Sequence, residues 1–174
     1  MKSFSSLLLC LLLYSVCLSQ NNLFIPFGQS AEDVKQFLGS RDYIINIHED
    51  LDMESVRAVL DQNKHVEYAF RDGTLYATTV TRNYENRRTA KEIQKNCLDY
   101  MEYISNGNTQ LNDNEEIVCY TAVTDARVIK LFIQQHTKSI TLTLTSVSRR
   151  FGPPMQEDDI FYETDLLQKR FISN

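Results

Sequence analysis

The chain has 174 residues, of which 43% are hydrophobic and 24% are charged, and its formal net charge is −5. This length suits about one domain, and this composition excludes a globally disordered chain. An acidic chain without a basic stripe is a poor nucleic-acid binder, so we expect no nucleic-acid partner.

Residues 1–19 have the pattern of a secretory signal peptide. One positive charge and a short apolar core precede small residues at Ser15, Cys17 and Ser19. The core is too short to span a bilayer comfortably. We therefore predict cleavage after Ser19 and a secreted or periplasmic protein that starts at Gln20 and has no transmembrane segment. The mature chain would keep 155 of the 174 residues.

The alternative for this leader is a lipoprotein signal that is acylated at Cys17. The residues before it are Tyr14, Ser15 and Val16. A lipobox usually has Leu at the first of these positions and Gly or Ala at the last, so the bulky Val16 favours simple cleavage.

The first predicted helix covers about residues 30–38. Ser30 and Asp33 form an acidic capping box at its start, and apolar residues then follow at helical spacing. Gly39 is expected as the C-cap, because glycine adopts a positive φ without a Cβ clash.

The second predicted helix covers about residues 87–106. Thr89 with Glu92 has the spacing of a capping box, and Asn86 is the alternative N-cap. Asn106 and Gly107 are expected to end this helix.

Between and after the helices the hydrophobic period shifts towards two, which predicts strands. Residues 43–47 are strand-like, 48–52 a polar turn, and 108–116 a polar loop. Residues 55–60 fit either a strand or a short helix capped by Asp52, and the strand is favoured. The further predicted strands are 65–70, 75–80, 117–123, 128–134 and 140–145.

The faces of three predicted strands follow from this alternation. Leu75, Ala77 and Thr79 are expected on one face. In the strand after the second helix, one face is expected to carry Ile117, Cys119, Thr121 and Val123, and the other Val118, Tyr120 and Ala122. In the last strand Ile140, Leu142 and Leu144 alternate with Thr141, Thr143 and Thr145, and a bulge or strand end is expected near 146–147.

The order of elements predicts an α+β fold made of two helix-plus-antiparallel-meander units, 30–82 and 86–148. These spans are compatible with a structural duplication within a single domain, 20–150. Whether the strands form one sheet or two is left open.

Residues 151–174 are predicted to be a C-terminal tail, because Gly152, Pro153 and Pro154 block strand continuation. The tail is first acidic and then apolar, so it either docks back on the body or binds a partner. Its candidate partner-binding residues are Ile160, Phe161, Tyr162, Leu166, Leu167 and Phe171.

No catalytic, cofactor-binding or metal-binding motif is present in the sequence, so no catalytic residue, cofactor or metal ligand is assigned. His48, His65 and His136 are far apart in sequence and are expected at exposed turns or strand edges. The acidic segments 48–52 and 112–116 have neither the glycine nor the ligand spacing of an EF-hand, so we expect solvated loops.

Two cysteines remain after removal of the leader. Cys97 lies on the apolar side of the second helix, and Cys119 alternates with apolar residues of the next strand. If that strand face packs on the helix, the two form a disulfide that closes a loop of about 22 residues, worth about 3 kcal/mol. The alternative is two buried thiols.

The threonines at 141, 143 and 145 are a candidate flat binding surface. Such a row more often forms the solvated side of a strand, and that interpretation is favoured.

The segment Phe27–Gly39, FGQSAEDVKQFLG, resembles the helix opening of small envelope proteins of the outer-membrane lipoprotein A and beta-lactamase inhibitory protein type. The leader ending and the Tyr- and Asn-rich body also resemble exported proteins of Bacteroidota-type bacteria. The first resemblance implies helix-then-antiparallel-sheet units that bind other proteins without catalysis.

These features predict an exported, non-enzymatic protein that binds another protein or an envelope component. A hydrolase or small-ligand domain whose polar residues converge only in the fold is one alternative. A structural module of a secreted assembly is the other.

Overall fold

The structure, a computed structural model, describes Leu23 and residues 25–41, 43–50, 53–114 and 117–153. At 49, 50, 53, 113 and 114 it describes the backbone alone. The predicted leader with Cys17, and the tail residues Ile160, Phe161, Tyr162, Leu166, Leu167 and Phe171, lie outside these residues.

Two helices are present in the described chain. Helix α1 spans Ala31–Gly39, and Ser30 caps it by accepting a hydrogen bond from the Asp33 amide at 3.1 Å, as predicted. Gly39 is not the C-cap. Gly39 is the last helical residue, and Ser40 is the C-cap, since its amide donates to the Gln36 carbonyl. Ser40 has a negative φ, so no glycine is needed at the cap.

Helix α2 spans Arg87–Ile104, and Asn86 is its N-cap. The Asn86 side chain accepts from the amides of Arg88 and Thr89 at 2.9 and 3.2 Å. Thr89 therefore lies inside the first turn, and the predicted Thr89–Glu92 capping box is wrong. Asn106 and Gly107 follow the helix with positive φ, as its predicted end requires.

The described strands form one eight-stranded antiparallel sheet in the order β1-β2-β3-β4-β8-β7-β6-β5. The strands are β1 Ile44–Asp50, β2 Met53–Asp61, β3 Lys64–Arg71, β4 Thr74–Tyr84, β5 Thr109–Asn114, β6 Ile117–Val123, β7 Arg127–Gln135 and β8 Ile140–Ser148. The α+β class is therefore confirmed, and β4 and β8 form the middle of the sheet.

Both described helices pack on the same side of this sheet. Helix α1 packs with β2 and β3 in a core that includes Val80, and α2 packs with β6, β7 and β8 in a core that includes Leu144. Val80 and Leu144 are directly opposite each other on β4 and β8, so the two cores share one sheet face. We call the other side, on which neither described helix packs, the helix-free face.

Two segments expected to be loops are paired strands. β1 continues through His48 to Asp50, opposite Met53. Residues 109–114 form β5, paired with β6 over its whole length. Both belong to outermost strands of the described sheet, where backbone hydrogen bonds to one neighbouring strand hold these polar segments in place.

The predicted faces of β4 are corrected by a register shift between Ala69 and Phe70. Leu75 packs with Phe70 in the α1 core, whereas Ala77 lies on the helix-free face with Ala69. The extra residue of a bulge turns the side chains that follow it to the other face.

No corresponding shift occurs in β8, where we expected one near residues 146–147. Val147 pairs in register with Ala77 and Val128. Val147 is buried with Ala69, Tyr76 and Ala77 on the helix-free face. Val147 therefore lies on the same face of β8 as Thr141, Thr143 and Thr145.

The chain enters the α1 core through Leu23 and residues 25–28. Leu23 is 2% exposed, and its carbonyl accepts a hydrogen bond from the Tyr68 hydroxyl at 2.9 Å. Gly28 then bonds through its amide to the Leu75 carbonyl at 2.9 Å, which joins this lead-in to the start of β4.

Gly28→Ala should lower the free energy of unfolding by about 1–2 kcal/mol, because Gly28 has a φ of +91° that L-residues adopt at a cost. A Cβ there would also lie 2.9 Å from the Phe151 ring. Gly39→Ala is the control. It lies in helix α1 with open space around it, so we expect a gain of about 0.5–1 kcal/mol in urea denaturation. Equal effects of the two variants would contradict this account.

Candidate functional site

A row of polar side chains crosses the middle of the helix-free face. Strand register places its members directly opposite one another. From β2 to β6 they are Arg57, Glu67, Thr79, Thr145, Lys130 and Thr121. Five of the six are buried, with Glu67 6% and Lys130 4% exposed. Little of this row is therefore accessible to solvent.

Hydrogen bonds between neighbouring strands stabilise this row. Arg57 donates to the Glu67 carboxylate at 3.2 Å, and the hydroxyls of Thr79 and Thr145 are 3.1 Å apart. Buried polar groups need such partners, since each one left unpaired costs about 1–3 kcal/mol. These bonds join β2 to β3 and β4 to β8 at the centre of the sheet.

The predicted threonine surface lies next to this row. Thr143 bonds to Thr81 at 3.3 Å, and Thr141 lies 3.0 Å from the His136 ring. Thr145 is buried, while Thr141 and Thr143 are half-buried. The three hydroxyls thus bond within the protein, and what remains accessible at 141 and 143 is a partly covered strand surface.

An apolar area lies on the β6–β7 side of the helix-free face. Phe132 is half-buried and stands between Thr143 on β8 and Cys119 on β6. Ile117 and Val123 on the same face of β6 are also half-buried. Sequence reasoning missed Phe132, although an apolar run on both faces of β7 (VIKLFI) was the available signal.

The described chain leaves the body beside a second apolar area on this face. Phe151 packs against the buried group Ala69, Tyr76, Ala77 and Val147. The Arg150 guanidinium lies 5.2 Å from the centre of the Phe151 ring. Residues 151 and 152, close to the end of the described chain, therefore lie against the helix-free face.

The three histidines do not converge. His48 and His136 are exposed, as expected, whereas His65 is half-buried on β3. Among the described residues no group of three His, Cys, Asp or Glu side chains is placed to hold a metal ion. The acidic segments 48–52 and 112–116 are only partly described.

Burial, and secondarily the nearby Arg57 guanidinium, lowers the pKa of His65 from its ordinary value. The folded state therefore favours the neutral ring. This stabilisation is complete above about pH 6.5, the unfolded value, and is lost as the pH falls towards the lower folded-state pKa.

We expect the free energy of unfolding to decrease between about pH 7 and pH 5, and His65→Gln to reduce that decrease. Urea denaturation across this range measures it. His48→Gln, at an exposed position of β1, is the control. A pH dependence that is identical in both variants would show that His65 does not cause it.

Cys97 and Cys119 are both thiols, on opposite sides of the sheet. Cys97 is buried in the α2 core, and Cys119 is half-buried. The β6 residues that pack with α2 are Val118, Tyr120 and Ala122. Cys119 alternates with them and therefore points to the helix-free face, 3.9 Å from the Thr121 hydroxyl. Cys119 lies on the strand face that the sequence predicts. Because α2 packs on the opposite face of β6, this geometry favours the alternative of two thiols.

Mild oxidation of the folded protein should therefore leave Cys97 and Cys119 unbridged, because a disulfide requires Cα atoms about 4.4–6.8 Å apart and side chains that point at each other. Alkylation followed by peptide mass spectrometry measures this. We expect Cys119 to be alkylated first, since Cys97 is only 5% exposed. A linked Cys97–Cys119 peptide would contradict the packing of α2 on this sheet.

Comparison of the chain with family models, curated proteins and solved structures finds no match. Within the described part of the chain, neither helix has the length and apolar character needed to cross a membrane.

Proposed function

We propose that this protein is exported and, without catalysis, binds another protein through the helix-free face. The observation that carries the proposal is that both described helices pack on one side of the sheet, which leaves Phe132 half-buried on the other. Aromatic side chains with limited exposure, surrounded by polar neighbours, are typical centres of protein interfaces.

The size of this face suits a protein partner. Eight strands spaced about 4.8 Å apart extend over about 34 Å. Six of them have seven to nine residues and are about 24–31 Å long, while β4 is longer and β5 is shorter. The resulting area of about 800–1,000 Å² is comparable with the roughly 800 Å² that each partner contributes to a standard interface.

The tail supplies a second proposed contact. Phe151 packs on the helix-free face, so residues 154–174 start beside the surface proposed to bind. Their apolar residues Ile160, Phe161, Tyr162, Leu166, Leu167 and Phe171 would extend it. Secretion after cleavage at Ser19 remains part of the proposal, with a protein of the envelope or the extracellular space as the partner.

We also propose that the two halves of the fold are structural duplicates. Each half consists of a helix followed by four antiparallel strands, and the sheet order is symmetric about the β4–β8 pair. The protein-binding class implied by the resemblance of residues 27–39 is consistent with this arrangement.

Affinity enrichment from the secreted and envelope fractions of the producing cells tests the proposal. The wild-type chain is compared with Phe132→Thr, which changes the helix-free face. Tyr103→Ser is the matched control, since Tyr103 is 48% exposed on α2. A partner should be recovered by the wild type and the control, and lost with Phe132→Thr.

A chain ending at Pro153 tests the tail separately, and unchanged recovery would remove the tail from the proposal. Equal recovery by Phe132→Thr would exclude the helix-free face. A small molecule retained in place of a protein would favour the ligand-binding alternative. Recovery of this chain itself that is lost with Phe132→Thr would favour the structural module.

A further inference from the structure

One edge of the sheet has an open, apolar strand. β1 is the outermost strand, and no other described strand pairs with its outer side. Ile44 is 66% exposed and Ile47 is 49% exposed, and they point to opposite faces of β1. Large apolar side chains are therefore exposed on both sides of one free backbone edge.

β1 has none of the usual features that protect an edge strand over residues 44–48. The sequence IINIH contains no Lys, Pro or carboxylate. Its pairing with β2 is regular, without a bulge. Native proteins normally block such an edge with charge, proline or a bulge, because its free N–H and C=O groups pair readily with another strand.

The opposite edge differs from this one. β5 has the sequence TQLNDN, in which Leu111, 56% exposed, is the large apolar residue. A polar outermost strand gains little from burial against another strand. The two edges thus provide a built-in comparison.

We propose that β1 pairs in antiparallel orientation with β1 of a second copy of this chain, about a two-fold axis at Asn46. This register places Ile45 opposite Ile47 of the other copy on the helix side. It places Ile44 opposite His48 of the other copy on the helix-free face. A two-fold interface must be self-complementary, and IINIH meets that condition about Asn46.

Neighbouring registers fit less well. A two-fold axis at Ile47 would place Ile44 and Ile45 opposite Asp50 and Glu49, which sets apolar side chains against carboxylates. The axis at Asn46 leaves the acidic end of β1 outside the five-residue pair. Both copies then keep their helices on the same side of one continuous sheet.

The dimer is expected to be weak. A single strand pair buries less than a standard interface, so we expect a Kd between micromolar and millimolar. Sedimentation velocity of the chain from Gln20 to Asn174, at increasing concentration, should show a monomer–dimer equilibrium. A monomer at every concentration up to about 1 mM would overturn the proposal.

Two matched variants locate the edge. Ile47→Lys places a charge against Ile45 of the other copy and should weaken self-association by about tenfold or more. Leu111→Lys makes the same chemical change at an exposed residue of β5, and its dimer should be unaffected. Loss of the dimer in Leu111→Lys with its retention in Ile47→Lys would overturn the proposal.

A cysteine experiment tests the register even if Ile47→Lys fails to fold. In a chain with Cys97→Ala and Cys119→Ala, Asn46→Cys places two thiols directly opposite at the axis, about 4.5–5.5 Å apart at Cβ. His48→Cys places them about 13 Å apart. Oxidation should cross-link the first variant and leave the second monomeric. Efficient cross-linking of His48→Cys alone would reject this register.

Discussion

Leu131→Ala is expected to lower the free energy of unfolding by about 2–5 kcal/mol. Leu131 is 0% exposed, lies in the middle of β7, and packs in the core under α2. Removal of its side chain leaves a cavity that the regular sheet cannot fill by collapsing. Urea denaturation at neutral pH measures the loss.

Leu111→Ala is the control for this prediction. It removes the same atoms from a leucine that is 56% exposed on β5. We expect it to cost less than about 1 kcal/mol, because little surface returns to water. Similar losses in the two variants would contradict the assignment of the helix-packed side as the core.

Tyr68→Phe is expected to lower the free energy of unfolding by about 1–3 kcal/mol. The Tyr68 hydroxyl is buried and donates to the Leu23 carbonyl, so the substitution leaves that carbonyl without this donor. The size of the loss measures how strongly the hydrogen bond to Leu23 holds the start of the described chain on β3. Tyr103→Phe, on the exposed surface of α2, is the control and should be neutral.

The same residue predicts a loss of stability at alkaline pH. Burial is the main cause that raises the pKa of Tyr68 far above its ordinary value. The stabilisation is complete below about pH 10, where the unfolded tyrosine is protonated, and is lost as the pH rises towards the folded-state pKa. Denaturation between about pH 8 and pH 11 should show the loss in the wild type and a smaller one in Tyr68→Phe. If the free energy of unfolding of Tyr68→Phe fell with pH as steeply as that of the wild type, Tyr68 would not be the cause of the loss.

Local signals predicted most elements because they depend on neighbouring residues. The Ser30 cap of α1, the end of α2 at Asn106 and Gly107, and the alternation along β8 each follow from contacts within a few residues. β5 was not predicted as a strand, because it depends on a distant contact. Its polar residues form a strand only because β6 lies beside it.

The candidate site was predictable only in fragments. The threonines of β8 were recognised as one face, but their position at the centre of the sheet depends on the pairing of β8 with β4, more than fifty residues earlier in the chain. Phe132, Lys130 and Glu67 belong to the same face through pairings of that kind. Strand register across the sheet has no signal in a single strand.

The sequence by itself determined an α+β chain with capped helices and alternating strands, because capping and periodicity are local properties of the backbone and its nearest side chains. Tertiary structure alone decided that the described strands join in one sheet with β1 outermost, and that α2 packs on the Tyr120 side of β6 and so separates Cys97 from Cys119. The physical reason is that either face of an alternating strand is locally acceptable. Long-range burial decides which face meets the helices.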